Sequence, residues 1–353
     1  MVTQENIIVG CDIGGAHLKV ARAENGRIVK AMTVATPIWL GLDRLTAVIP
    51  EVMPLFAGSG LNAFTMTGEL SDIFPSREAG IAELLKVIGT HFPGRSMIYA
   101  GRSGFVTADQ AIQHAADVAS ANWHATAALV AELVGEALFI DMGSTTTDIL
   151  ATRKGAVEHH GYTDAERLAT GELVYTGFTR TPLMGVASNA PIRGRLTPLM
   201  NEYFASMADV QRILGALDES DDKQSTADGQ AKTVDASITR LARMVGRDSA
   251  NLTAAEWRDL ANWFSERQLR TIHDAALLVA GKHQPGSRAP MVGAGIGRAQ
   301  LKCLAERMRR PFLDFADIIP ADDAVRAEAS GAAPAAALAL LAGAADHRPP
   351  GER

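Results

Sequence analysis

Two stretches far apart in the chain repeat one pattern, and that repetition restricts which folds are open to it. The first is Ile7-Ile8-Val9-Gly10-Cys11-Asp12-Ile13-Gly14-Gly15-Ala16-His17-Leu18-Lys19; the second is Ala137-Leu138-Phe139-Ile140-Asp141-Met142-Gly143-Ser144-Thr145-Thr146-Thr147-Asp148. Each begins as an apolar run of buried-strand length, reaches an Asp, and turns through glycine and small hydroxyl residues. The residues beyond each turn decide the class. After the first, Leu18 to Ala23 alternates, Glu24-Asn25-Gly26-Arg27 turns, and Ile28 to Val34 reads as another strand. After the second, Asp148 to Thr152 is extended, Arg153-Lys154-Gly155 turns, and Ala156 to His159 extends again. A dinucleotide or P-loop site needs a helix directly after its glycines. Two strand–turn–strand units, each with an Asp entering the turn, predict instead a duplicated two-lobed α/β fold closing on a phosphate.

Length and composition allow this. A chain of 353 residues, 47% hydrophobic and 21% charged, has room for two lobes with substantial cores. A net charge of −6 gives no general attraction to nucleic acid or anionic lipid, so any anion site is local. No apolar run approaches the ~20 residues of a membrane span, and no charged leader precedes an apolar core. The expectation is a cytoplasmic protein with small-molecule substrates and neither nucleic-acid nor membrane partners; a homo-oligomer stays open. Only Cys11 and Cys303 are present, which excludes a cysteine-rich metal cluster and fits a reducing compartment. Cys11, inside an apolar strand, reads as an inert buried thiol.

Along the chain, residues 42–56, 79–92, 108–118 and 123–134 have helical spacing, while 63–67 and 96–100 read as strands. The first lobe is expected over 1–122 plus about 325–345, and the second over 123–324. Residues 218–232, rich in Asp, Ser and Gln, read as a mobile surface loop between helical stretches at 234–246 and 253–280. The alanine-rich run 324–345 predicts a helix broken near Pro334, with a disordered tail from 346.

Asp12 and Asp141 end apolar strands, where a carboxylate is costly unless paired or metal-bound. Mg²⁺ suits them, since hard oxygen ligands and retained waters are what that ion takes; capping of their own turns is the bland alternative. Gly14, Gly15, Gly143, Ser144, Thr145 and Thr146 offer N–H groups and hydroxyls to phosphate oxygens. His17 and Lys19 either meet phosphate or lie on the turn and the solvent face. Asp148 either orients a metal-bound water, accepts a proton, or caps its loop. Gly293, Gly295 and Gly297 precede a helix and form a third ligand-facing turn; whether a nucleotide binds there stays open.

Three further peptides go beyond this general pattern: Thr65 to Leu70, Ala119 to Trp123, and Gly171 to Pro182. The Asp-Gly loops resemble the superfamily of acetate and sugar kinases, the Hsp70 ATPase domain and actin, with a ribonuclease H-like core in each lobe. With the three peptides added, residues 6–320 are similar to the hydantoinase/oxoprolinase-type family, and within it to the methanofuran-biosynthesis branch linked to tetrahydromethanopterin-dependent C1 metabolism. That resemblance implies a transferase joining an (aminomethyl)furanylmethyl diphosphate to the phenol oxygen of a tyramine- or tyrosine-type acceptor, with release of diphosphate. Asp12, Asp141 and Asp148 would then surround Mg²⁺. Glu69 or Glu172 would be the base, Arg180 would bind an acceptor carboxylate, and Asn122 and Tyr175 would join the site. The alternatives are an ATP-dependent kinase or amidohydrolase. A cluster-bearing nucleotide switch is disfavoured by the two cysteines, and a scaffold leaves the paired loops unexplained.

Overall fold

The computed structural model describes residues 6–346. Seven consecutive buried residues, Ile7–Ile13, form β1 at the centre of the first sheet. β2 (His17–Glu24), β3 (Arg27–Ala35), β4 (Leu61–Met66), β5 (Ser96–Tyr99) and β6 (Phe105–Val106) complete it in the order β3-β2-β1-β4-β5-β6. β1 is antiparallel to β2 and parallel to β4. The second sheet repeats the scheme. It comprises β7 (Ala137–Met142), β8 (Thr147–Arg153), β9 (Ala156–Glu158) and β10 (Leu173–Val174). A separate hairpin, β11 (Asn189–Ile192) and β12 (Arg195–Pro198), intervenes before β13 (Met291–Ala294) and β14 (Phe312–Asp314). The order is β10-β8-β7-β13-β14, with β9 also on β8; β7 is antiparallel to β8 and parallel to β13. Two sheets built on one plan, hairpin first and parallel strand next, make the two-lobed α/β architecture of the actin and Hsp70 type.

Helices α1 (Asp43–Val52) and α2 (Arg77–His91) cover the outer face of the first sheet, where Val9, Cys11, Leu45, Phe64 and Ile81 share a core. α3 (Ala108–Gln113) and α4 (Ala115–Val118) are two helices rather than the single one expected, because His114 leaves the helical region at φ −100°, ψ 24°. α5 (Asn122–Val134) packs between the lobes. α6 (Asp164–Thr170), opened by a Thr163–Glu166 capping box, comes after the second hairpin. An insertion with its own core contains α7 (Leu183–Val186), α8 (Met207–Leu214), α9 (Val234–Met244) and the 30-residue α10 (Ala254–His283). α11 (Arg298–Arg307), α12 (Phe315–Ile318), α13 (Arg326–Gly331) and α14 (Ala333–Asp346) complete the chain.

The last helix crosses back onto the first sheet. Its small side chains, Ala335, Ala336 and Ala339, share one core with Ile8 of the first sheet, with α5 and with Phe139 of the second sheet. Gly10 permits the approach: a Cβ there would run into the Ala335 carbonyl oxygen. The break comes at Ala332, with a bend of 110° between the segments it joins. Pro334 sits in the first turn of α14, where its missing N–H is no loss. Among the described residues no single helix is long and apolar enough to cross a membrane. The expected tail from 346 begins with Asp346, which ends α14 and pairs with Arg95; residues 347–353 lie outside the described residues.

Residues 218–232 differ from the mobile loop expected of them. Asp222 is buried and pairs with Arg212 at 2.7 Å, Glu219 pairs with the same arginine at 2.8 Å, and Asp228 pairs with buried Arg240 at 3.1 Å. The polar composition that read as solvated supplies partners for arginines of α8 and α9.

Candidate active site

Both hairpin turns are built alike. Asp12 faces Lys19 across β1–β2, and Asp141 faces Asp148 across β7–β8. Two residues past each Asp a glycine N–H closes the turn, Gly14 to the His17 carbonyl at 2.9 Å and Gly143 to the Thr146 carbonyl at 3.0 Å. The turns meet in one cleft of about 450 Å³ between the lobes. Asp12, Gly14, Gly15, His17 and Lys19 line it from the first lobe. Asn122, Asp141, Gly143, Ser144, Thr145, Thr146, Asp148, Tyr175 and Arg180 line it from beyond.

Two carboxylates, Asp12 and Asp141, dominate the electrostatics of the cleft. Asp12 is only 2% exposed, and its Oδ1 has no hydrogen-bond partner. Burial pushes its pKa up against the pull of Lys19 and of a hydrogen bond from Asn122, and Asp148 adds a further upward push. Asp141 is pushed up to about 7 by burial, which outweighs Lys19, and by the charges of Asp148 and Asp12. Among the described residues no group of three or more His, Cys, Asp or Glu is spaced to hold a metal ion by itself. A divalent ion shared between Asp12, Asp141, water and ligand phosphate fits these donors. His17 is held down to about 3, chiefly by burial and then by Lys19 and Arg180, so it meets a ligand as a neutral imidazole.

Asp148 is not a free carboxylate. Its Oδ1 accepts from Arg167 at 2.6 Å, and that arginine is 1% exposed with its guanidinium 4.1 Å from the centroid of the Trp123 ring. Arg180 donates to Thr145 Oγ1 at 3.0 Å and lies 5.3 Å from the Trp39 ring of the opposite lobe. Much of the Gly171–Pro182 peptide braces the second turn. Phe178 N–H donates to the Gly143 carbonyl, Arg180 N–H donates to that of Ser144, and a Cβ at Gly177 would collide with the Ser144–Thr145 backbone.

The two candidate bases part company. Glu172 has no exposed surface and does not line the cleft. It accepts from His160 N at 2.7 Å, Gly161 N at 2.8 Å, Thr170 Oγ1 at 3.0 Å and His283 Nε2 at 3.1 Å. Burial raises its pKa, but these hydrogen bonds together hold it at about 2, so it is a structural acceptor and not a base at neutral pH. Glu69 is also buried, at 1% exposed, one residue behind the cleft wall. Its Oε1 accepts from Ser120 N at 2.9 Å and from Ser120 Oγ at 3.0 Å, while its Oε2 has no partner. Burial lifts Glu69 to about 7 against the hydrogen bond from Ser120. Ser120 itself lines the cleft at φ 54°, a left-handed conformation uncommon for a serine.

The third glycine turn splits as well. Gly295 lines a cavity of about 270 Å³, which shares Asp141, Gly143 and Ser144 with the main cleft. Gly293 is needed for packing, since a Cβ would meet the Phe312 ring at 2.6 Å, and Gly297 gives room to the Met142 side chain.

Sequence reasoning did not single out Arg167, Trp39, Asp164 or Arg77. The last two form an ion pair of 3.0 Å across the lobes, and Asp164 Oδ2 lies 3.4 Å from Ser120 Oγ. Each owes its place to a partner distant in the chain, so no local pattern marks it.

A model of the hydantoinase/oxoprolinase family matches residues 61–340. A Methanocaldococcus jannaschii protein, (4-{4-[2-(gamma-L-glutamylamino)ethyl]phenoxymethyl}furan-2-yl)methanamine synthase, is 31% identical over 336 residues, covering 95% of this chain and 97% of its own. A Methanococcus vannielii protein of the same name is 33% identical over 124 residues, 35% of this chain and 55% of its own. Similar solved structures include component A of the (R)-2-hydroxyglutaryl-CoA dehydratase of Acidaminococcus fermentans, at 12% identity and TM-score 0.49 over 97% of this chain and 100% of that one. A ROK family glucokinase from Streptomyces griseus is 14% identical, with TM-score 0.46 over 95% and 99%.

Proposed function

The chain belongs to the hydantoinase/oxoprolinase family, and from that premise we propose that it is a transferase of methanofuran-type cofactor biosynthesis. It joins an (aminomethyl)furanylmethyl diphosphate to the phenol oxygen of a tyramine-like acceptor. The observation carrying this reading is the paired Asp-x-Gly turns, which face one cleft with a buried, partnerless Asp12 oxygen between them. The name of the Methanocaldococcus jannaschii relative, which describes a phenoxymethyl-furan product, supports the choice of substrates.

The furanylmethyl C–O bond breaks, a new C–O bond forms to the phenol, diphosphate leaves, and the phenolic proton passes to the protein. Positive charge developing on the methylene carbon spreads through the ring to the furan oxygen. The protein's main task is therefore to stabilise the departing anion with donors already in place. The N–H groups of Gly15 and Ser144, the hydroxyls of Thr145 and Thr146, and Lys19 surround the diphosphate, with His17 as a neutral donor, while Gly14 and Gly143 close the two turns and leave their faces open to it. Asp12 and Asp141 are the residues that would hold Mg²⁺, with Asn122 fixing the Asp12 carboxylate. When bound, the ion neutralises charge on the leaving diphosphate. Asp148, committed to Arg167, keeps the second turn in register. The phenol proton moves to Ser120 Oγ as the Ser120 proton moves to Glu69, whose value near 7 suits a base at neutral pH. Tyr175, exposed at the cleft mouth, is a contact for the acceptor ring.

Mass spectrometry of incubations with synthetic furanylmethyl diphosphate and tyramine, γ-glutamyltyramine or tyrosine tests the reading. An ether product with stoichiometric diphosphate is expected. No ether with any acceptor at any Mg²⁺ level overturns it, and ADP formation from ATP without the furan substrate favours an ATP-using kinase or amidohydrolase.

A further inference from the structure

The insertion in the second lobe holds a separate cavity of about 270 Å³, formed by α8 and the pinned 222–226 segment. One residue, Arg180, lines both this cavity and the main cleft. Its hydrogen bond to Thr145 and its stack on Trp39 leave donors of the guanidinium open, and among the described residues no carboxylate pairs with it. The other charges of the wall are already committed. Arg212 pairs with Asp222 at 2.7 Å and Glu219 at 2.8 Å, and Asp209 pairs with Arg240 at 2.8 Å.

A wall that is neutral overall, with one under-used guanidinium, does not suit a phosphate or a bare cation. It suits a small polar group bearing one carboxylate, which Arg180 can take in bidentate fashion. Gln224 and Tyr203 supply an amide and a hydroxyl beside it, able to donate and accept around an ammonium and an amide. A buried ionic network stabilises a fold no better than apolar residues of equal volume. A polar occupant accounts for so polar a wall.

Resting on the transferase reading, we infer that this cavity is the subsite for the amino-acid end of the phenolic acceptor. The α-carboxylate lies on Arg180 and the remaining polar groups lie toward Gln224 and Tyr203. Arg180 also touches the diphosphate turn through Thr145, so the phenol occupies the cleft while the tail passes the arginine into the insertion. An acceptor with its amino-acid group on an extended tether, as in a γ-glutamylated tyramine, spans both spaces. Tyramine fills only the first.

Steady-state kinetics with furanylmethyl diphosphate and either γ-glutamyltyramine or tyramine reads the preference as a ratio of kcat/KM. Wild type should favour the glutamylated acceptor by about tenfold or more, the worth of one charged hydrogen-bonded contact. Gln224→Leu with Tyr203→Phe should lower that ratio at least about fivefold through KM. Equal kcat/KM for the two acceptors, or a ratio unmoved by the double variant, overturns the subsite. Calorimetric binding of γ-glutamyltyramine without the diphosphate substrate separates this from the transferase reading. Binding that weakens in the double variant supports the subsite even where no ether forms, and equal binding overturns it even where ether does form.

Discussion

Replacing Glu172 by Gln separates its two possible roles. In the fold this carboxylate closes the chain before β10 by accepting from His160, Gly161, Thr170 and His283 with no exposed surface. Its pKa falls from the ordinary 4.5 to about 2. At about 1.36 kcal/mol per pH unit, that difference amounts to roughly 3 kcal/mol of stability. A depressed carboxylate contributes fully above its unfolded value of 4.5 and loses the contribution as pH falls through its folded value near 2. Wild type should therefore exceed Glu172→Gln by roughly 3 kcal/mol at neutral pH, with the gap closing below pH 4.5. Over 353 residues, at about 2.1 cal/mol/K each, this lowers the thermal midpoint by about 4 °C. Urea unfolding at pH 7 and pH 3.5 measures the gap, and turnover per folded molecule, assayed alongside, should stay within about threefold of wild type. Equal stability of the two proteins at pH 7, or a folded variant slowed about a hundredfold, would refute the structural assignment.

Glu69→Gln should do the opposite. Turnover falls by about 10²–10⁴ and the rise of kcat/KM with pH near 7 disappears. A raised carboxylate contributes stability below its unfolded value and loses it as pH rises through 7, so above that pH the variant should unfold later than wild type. A fluorinated phenol of lower pKa should recover part of its lost rate, and a rate insensitive to phenol acidity would argue against Glu69 and Ser120 as the proton path. Arg167→Lys keeps the charge but not the planar stack on Trp123 or the fork to Asp148. It should destabilise the protein by about 2–4 kcal/mol in urea melts. Gly10→Ala, by driving a Cβ into the Ala335 carbonyl, should undo the docking of α14 and yield insoluble or loosely folded protein; a well-folded variant would contradict the packing.

Sequence made legible whatever depended on neighbours in the chain. The Asp12 and Asp141 turns share residue types and spacing, and each turn is closed by its own backbone, so the duplicated plan and the cleft residues from Asp12 to Lys19 and Asp141 to Asp148 could be read directly. The remainder is set by contacts over long separations. Glu172 was a candidate base only through the family resemblance of its peptide, and its hydrogen-bond partners include His283, which lies at the end of α10. Arg167 sat unremarked in a helix, although burial on Trp123 makes it the support of Asp148. Gly293 and Gly297 came after a strand as ligand-binding glycines do, but the Phe312 and Met142 side chains they accommodate belong to other elements. Residues 218–232 looked solvated because the buried arginines they pair with, Arg212 and Arg240, lie on helices outside the segment.

The proposal that the two turns grip one magnesium-bound diphosphate is tested most directly by equilibrium binding of inorganic pyrophosphate over a Mg²⁺ titration. Wild type is compared with Asp12→Asn and Asp141→Asn. Affinity should rise with Mg²⁺ in wild type and drop at least about tenfold in each variant, since both carboxylates serve the same ion. Pyrophosphate binding that ignores Mg²⁺, or that survives unchanged when either Asp is replaced, would contradict the account.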